Sequence, residues 1–104
     1  MDKILIELFI PLLDANGNPF PEDWHRGISD QLNERFGGVT IYQRAPATGM
    51  WKQSKEHTET DKLVIFEVIA DELELAYWKP FKKQLEEQFV QESILIRSSA
   101  VQIL

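Results

Sequence analysis

Two carboxylates stand inside apolar runs, Glu7 within Ile4-Leu5-Ile6-Glu7-Leu8-Phe9-Ile10 and Glu67 within Leu63-Val64-Ile65-Phe66-Glu67-Val68-Ile69. A charged group among large apolar neighbours must reach water, pair with a cation or share a proton. Two such carboxylates held side by side raise each other's proton affinity, while nearby arginines lower it. That is acid–base chemistry. It is equally the chemistry of a cross-strand charge ladder that sets register, or of an ion-pair network at an interface. Glu7, Glu67, Tyr42 and Arg44 form the candidate catalytic set; Phe9, Tyr42, Trp51, Glu67 and Arg97 form the candidate ligand-binding set.

Other chemistry-bearing residues fail on spacing. Asp14, Asn16 and Asn18 match the start of a calcium loop, but Pro19 stands where glycine is needed and His25 where glutamate is needed. A turn is the reading that remains. His25 and His57 have no helical metal spacing to each other, and both are expected to be solvated. The chain has no cysteine, which removes disulfides, thiolate metal sites and cysteine nucleophiles. No phosphate loop, nucleophile elbow or dinucleotide fingerprint occurs. Neither a metal nor a cofactor is expected.

The elements that must position the carboxylates follow from periodicity. Lys3 to Leu13 reads as a strand, and Asp14 to Pro19 as turn formers. Pro21 suits the first position of a helix whose apolar stripe is Trp24, Ile28, Leu32 and Phe36, and Gly37-Gly38 ends it. Val39 to Arg44 and Lys62 to Ala70 are strands. A second helix follows, with Asp71 as N-cap, Glu74 as its capping-box partner, and Leu73, Tyr77, Phe81, Leu85 and Phe89 as its stripe. Pro80 predicts a kink or break near Trp78. Ser93 to Leu104 is the last strand, with Ser98-Ser99 expected to bulge or break it.

The order β, α, β, β, α, β across 104 residues gives one α+β domain. It is expected to be ferredoxin-like: an antiparallel four-stranded sheet of order 4-1-3-2 with both helices on one face. In that order the first and third strands are central, and they are the two most apolar segments.

Alternation then assigns the faces. Ile4, Ile6, Leu8, Ile10, Val39, Ile41, Val64, Phe66, Val68, Ile94 and Ile96 turn toward the helices. The opposite face carries Leu5, Glu7, Phe9, Thr40, Tyr42, Arg44, Leu63, Ile65, Glu67, Ile69, Leu95 and Arg97, its polar row expected to run Arg97, Glu7, Glu67, then Tyr42 and Arg44. So much apolar surface calls for a cover. A second copy is the simplest, so a homodimer or higher homo-oligomer is expected.

The formal charge of −6 repels phosphate backbones and anionic lipid, so neither nucleic acid nor membrane is expected as a partner. The apolar run Ile4 to Leu13 is too short to span a bilayer. Asp2 and Glu7 fit a secretory leader poorly, and a cytoplasmic location is the expectation. Residues 45–61 make a long connection, containing Trp51, that reads either as a lid over a ligand or as an extension of the hairpin with Trp51 packed on a partner.

Three fragments, Gly38-x-Thr40-x-Tyr42, Gly49-x-Trp51 and Phe89-x-Gln91-Glu92-Ser93-Ile94-Leu95, resemble a family of small bacterial ferredoxin-like domains of unknown function. The resemblance implies the same chain order and draws interest to Tyr42, Trp51, Gln91, Glu92 and Ser93; it implies no activity. Gln91 or Ser93 otherwise reads as a cap on backbone groups at the start of the last strand.

Three functional readings stand. One is a non-enzymatic oligomeric module binding a small ligand between subunit sheets. Another is a small cofactor-free enzyme of the dimeric α+β barrel type, with a sheet-face carboxylate as acid or base and Tyr42, Arg44 or His25 assisting. The last is a regulatory protein–protein interaction module.

Overall fold

The computed structural model describes residues 2–44 and 62–104. Its elements run β1 (Asp2–Pro11), α1 (Glu22–Phe36), β2 (Thr40–Arg44), β3 (Leu63–Ala70), α2 (Leu75–Gln88) and β4 (Leu95–Gln102). The sheet order is β2-β3-β1-β4, with every neighbouring pair antiparallel. Both helices cover one face. This is the ferredoxin-like arrangement that the periodicity implies.

The covered face is the core. Ile6, Leu8, Ile10, Val64, Phe66, Val68 and Ile94 meet Ile28 and Leu32 of α1 and Trp78, Phe81 and Leu85 of α2. Aromatic contacts hold the layer at both ends. Phe89 takes the edges of Phe20 and Trp24 at centroid distances of 4.9 and 5.5 Å, while Phe36 stacks on Trp78 at 5.5 Å. Ile41 departs from the expected assignment. It lies beside Phe66 in register, yet it is 47% exposed because the helices do not reach over the outer strand β2.

Turn chemistry sets the connections. The Asp14 carboxylate accepts the backbone N–H groups of Asn16 and Asn18, each at 2.9 Å, so this segment is the turn expected of it. Pro21 is the N-cap of α1 rather than its first helical residue. Gly37 ends α1 at φ 77, its N–H donating to the Asn33 carbonyl, a left-handed geometry that glycine adopts without a Cβ clash.

Several local expectations give way to packing. Asp71 does not cap α2; it pairs with Lys3 of β1, and the helix begins only at Leu75 with Glu74 as N-cap. Glu74 spends its carboxylate on Arg35 of α1 at 3.0 Å, so tying the two helices together replaces a local cap. Leu73 therefore lies outside the helix and is exposed, and Trp78 takes the buried place. Pro80 causes no break: α2 runs unbroken from Leu75 to Gln88, since only one early hydrogen bond is forgone. Ser98 and Ser99 neither bulge nor interrupt β4, pairing with Ile6 and Leu5 in continuous register.

Candidate functional site

Antiparallel pairing puts Glu7 of β1 directly opposite Glu67 of β3 on one side and Arg97 of β4 on the other. All three turn away from the helices, because Ile6, Leu8, Phe66, Val68 and Ile96 on either side of them turn inward. Like charges directly opposite one another on a sheet are unfavourable, and each carboxylate here has a partner of its own. Arg97 donates from Nε to Glu7 Oε1 at 2.8 Å, a charge-assisted bond. Tyr42 donates its hydroxyl to Glu67 Oε2, also at 2.8 Å.

The row differs from expectation in one respect. Thr40, not Tyr42, stands opposite Glu67, and Tyr42 stands opposite Ile65. Tyr42 therefore reaches Glu67 diagonally, which its long ring permits and a shorter side chain would not. Arg44 falls opposite Leu63, two further places along the strand and off the polar row. Trp51, His57 and the whole of residues 45–61 lie outside the described residues.

The row borders an apolar band made of Tyr42, Ile65, Phe9 and Leu95 in consecutive strands. Phe9 and Ile65 are buried within it, whereas Tyr42 is 41% and Leu95 52% exposed at its ends. The Arg97 guanidinium lies 4.9 Å from the Phe9 ring centroid, so the cation is held by a ring face as well as by Glu7. Glu7 is the shielded member, its side chain 14% exposed against 59% for Arg97.

Electrostatics follow from these contacts. The Tyr42 phenol is raised above its ordinary value, first because its hydroxyl hydrogen bonds to Glu67, then through burial and the negative charges of Glu67 and Glu7; Arg97 opposes the shift. The neutral phenol is thus kept as a donor. The four groups form a fixed arrangement: a phenol, two carboxylates and a guanidinium across four strands, beside a ring and aliphatic side chains. It can accept hydroxyl or amino hydrogens, attract a cation and stack a flat apolar body.

His25 is a residue that sequence reasoning misplaced. Its Nε2 lies 3.0 Å from the Pro11 carbonyl and its ring packs on Phe89 at 5.3 Å, so it joins α1 to the end of β1 and is half-buried. The residues after α2 do local work. Gln91 donates from Nε2 to the Phe89 carbonyl at 3.0 Å, a backbone cap, and the Ile94 N–H is taken by Glu86 rather than by Ser93. Among the described residues no cluster of three or more metal-ligating side chains occurs, and no helix is long and apolar enough to cross a membrane.

No family model matches the chain, and no curated protein sequence matches it. Its fold resembles a solved phage SAM lyase in complex with S-methyl-5'-thioadenosine, with TM-score 0.61 and 16% identity over 93% of this chain and 80% of that one. At that identity the likeness establishes a shared ferredoxin-like architecture.

Proposed function

We propose that this chain is an oligomeric module that binds a small ligand on its helix-free sheet face. The observation that carries the reading is the ordered row Tyr42–Glu67–Glu7–Arg97 running beside the band of Phe9, Ile65 and Leu95. Ligand sites combine an apolar wall with a few fixed polar groups in this way. In this reading Phe9 and Tyr42 supply the flat surface, Glu67 accepts donors from the ligand, and Arg97 closes the end of the row.

The face also has apolar groups that stay wet in a single chain: Ile69, Leu95 and Tyr42 are all substantially exposed. A second copy laid over them removes that surface from water and turns an open face into a cleft between subunits. Because Ile65 is itself buried, the exposed positions are the ones that test assembly. Ile69→Asp is expected to lower the mass measured by light scattering while leaving the circular dichroism spectrum intact. An unchanged mass would remove the assembly half of the reading.

The lyase that shares this fold names the first ligands to try. SAM and S-methyl-5'-thioadenosine are titrated calorimetrically into the wild-type chain and into Glu67→Gln. A carboxylate beside an apolar band favours the positively charged SAM over its neutral thioether relative. Binding that Glu67→Gln weakens supports the reading; if neither compound gives a heat of binding to the wild-type chain, this ligand class is excluded.

A second reading, a cofactor-free enzyme with Glu67 as acid or base, is favoured by one contact. Tyr42 holds the Glu67 carboxylate in a defined orientation, as a positioned proton acceptor requires. Consumption of SAM over time, lost in Glu67→Gln and retained in a Val90→Gly control away from this face, would establish it.

A further inference from the structure

The outer edge of β4 and the first turns of α2 form a second surface, which shares only Arg97 with the carboxylate row. β4 is eight residues long and pairs with β1 along one edge; among the described residues no strand pairs with its other edge. Natural sheets usually blunt such an edge with proline, a bulge or several charges. This one has no proline, keeps unbroken register, and carries Arg97 as its single charged residue. Its middle, Ser98-Ser99-Ala100, is small and leaves the backbone open to approach.

Beside that edge, on the helix side of the sheet, an apolar hollow of about 140 Å³ opens between α2 and β4. Its walls are Ile6, Leu73, Leu75, Trp78 and Ile96. Leu73 and Leu75 are 41% and 51% exposed, held out at the rim by the late start of α2. A space of this size matches the roughly 150 Å³ that takes up a benzene-sized group in a dry core. Lys79 and Lys82 line its helix side; Lys82 is paired with Glu86, so Lys79 is the cation this rim offers a partner.

We propose that β4 and this hollow receive an extended segment of a partner protein in which apolar and acidic residues alternate. The segment adds to the sheet as a fifth strand through main-chain hydrogen bonds. One apolar side chain enters the hollow over Trp78, and an acidic side chain meets Lys79. Charge selects this occupant over a second copy. A two-fold pairing of β4 with β4 continues the sheet with both helix layers on the same side and turns the Lys79 side of each α2 toward the same side of its copy.

The test uses the full chain, isotope-labelled, and a fluorescent peptide of alternating valine and glutamate long enough to span β4. Binding should be followed by anisotropy, with amide shifts confined to β4 and the start of α2. Raising the salt concentration should weaken it. Lys79→Glu should reduce affinity by about tenfold, and Leu75→Glu should abolish it; both positions are exposed, so the fold is retained. Equal binding of a valine–lysine peptide would overturn the proposal, as would shifts mapping to β2 or to Glu7 and Glu67, or no binding. Concentration-dependent shifts along β4 without peptide would assign the edge to a second copy and overturn it too.

Discussion

The two faces of the sheet are built from the same four strands and differ in what they ask of their side chains. The helix-covered face is uniformly apolar, and its members Ile6, Leu8, Ile10 and Phe66 are almost fully buried. The bare face interleaves a charged row with an apolar band, and its burial is graded from Phe9 and Ile65 at the centre to Tyr42, Ile69 and Leu95 at the margin. On the first face, stability comes from area removed from water. On the second, burial is complete only at the centre, and Tyr42, Ile69 and Leu95 keep apolar surface exposed. The contrast separates a uniformly apolar face from one that carries ordered polar groups.

The sharpest way to break the contrast is a matched pair of truncations. Phe66→Ala should cost about 3–5 kcal/mol in urea unfolding, the expected loss for a buried aromatic. Ile69→Ser, three residues along and on the opposite face, should stay within about 0.5 kcal/mol. Equal losses would mean that the bare face is a second core. Next in size is the polar row. Arg97→Leu removes the cation from the shielded Glu7 and should cost about 1 kcal/mol. A double-mutant cycle with Glu7→Gln checks that the loss belongs to the pair, and additive effects would deny it.

A comparable effect of opposite sign is expected at the junction between the layers. Val90 sits at φ 52, and the N–H groups of Val90 and Gln91 bond back to Glu87 and Glu86, the pattern of a helix stop that glycine normally occupies. A β-branched residue is strained there, and Val90 is 83% exposed, so its side chain contributes little packing in return. Val90→Gly should raise stability by about 1 kcal/mol, the relieved strain exceeding the added chain entropy. A lower melting temperature would contradict that account.

The smallest effect is on pH. The Tyr42 phenol titrates higher in the folded chain than its ordinary value of 10.0. A group raised on folding contributes stability that is complete below its unfolded value and is lost as pH climbs through the folded one. Stability should therefore decline in the alkaline range above 10.0, and Tyr42→Phe should remove that part of the decline. Ultraviolet titration of Glu67→Gln should show the phenol falling back toward its ordinary value. An unmoved titration would place the cause elsewhere. Glu86 works in the opposite sense at acid pH. Lys82 and the Ile94 N–H hold its carboxyl below the usual range, so this contribution is present above the ordinary carboxylate value and fades as pH falls through the lowered one.

Much of this was legible in the chain. Alternation in Ile4–Ile10 and Val64–Val68 assigned the two faces, and the strand order followed from the βαββαβ sequence of elements. The pairing of Glu7 with Glu67 follows from those two facts once β1 and β3 lie side by side. Less legible were residues with several partners within reach. Asp71 is a sound N-cap by sequence, but Lys3 lies across the sheet end and takes its carboxylate. His25 reads as a solvated first-turn residue until β1 brings the Pro11 carbonyl beneath it. Tyr42 was singled out, yet its reach to Glu67 rather than along its own row depends on a diagonal contact between strands.

By itself, the order of residues determined the element types, the inward and outward sets and the separation of a charged row from an apolar core, because each depends on periods of two or of about 3.6 residues that are local to a segment. Only the tertiary structure decided which donor meets which carboxylate, where α2 begins and which edge of the sheet stays open. Those outcomes are competitions between groups far apart in the chain, settled by strand register and by the distance at which two layers pack.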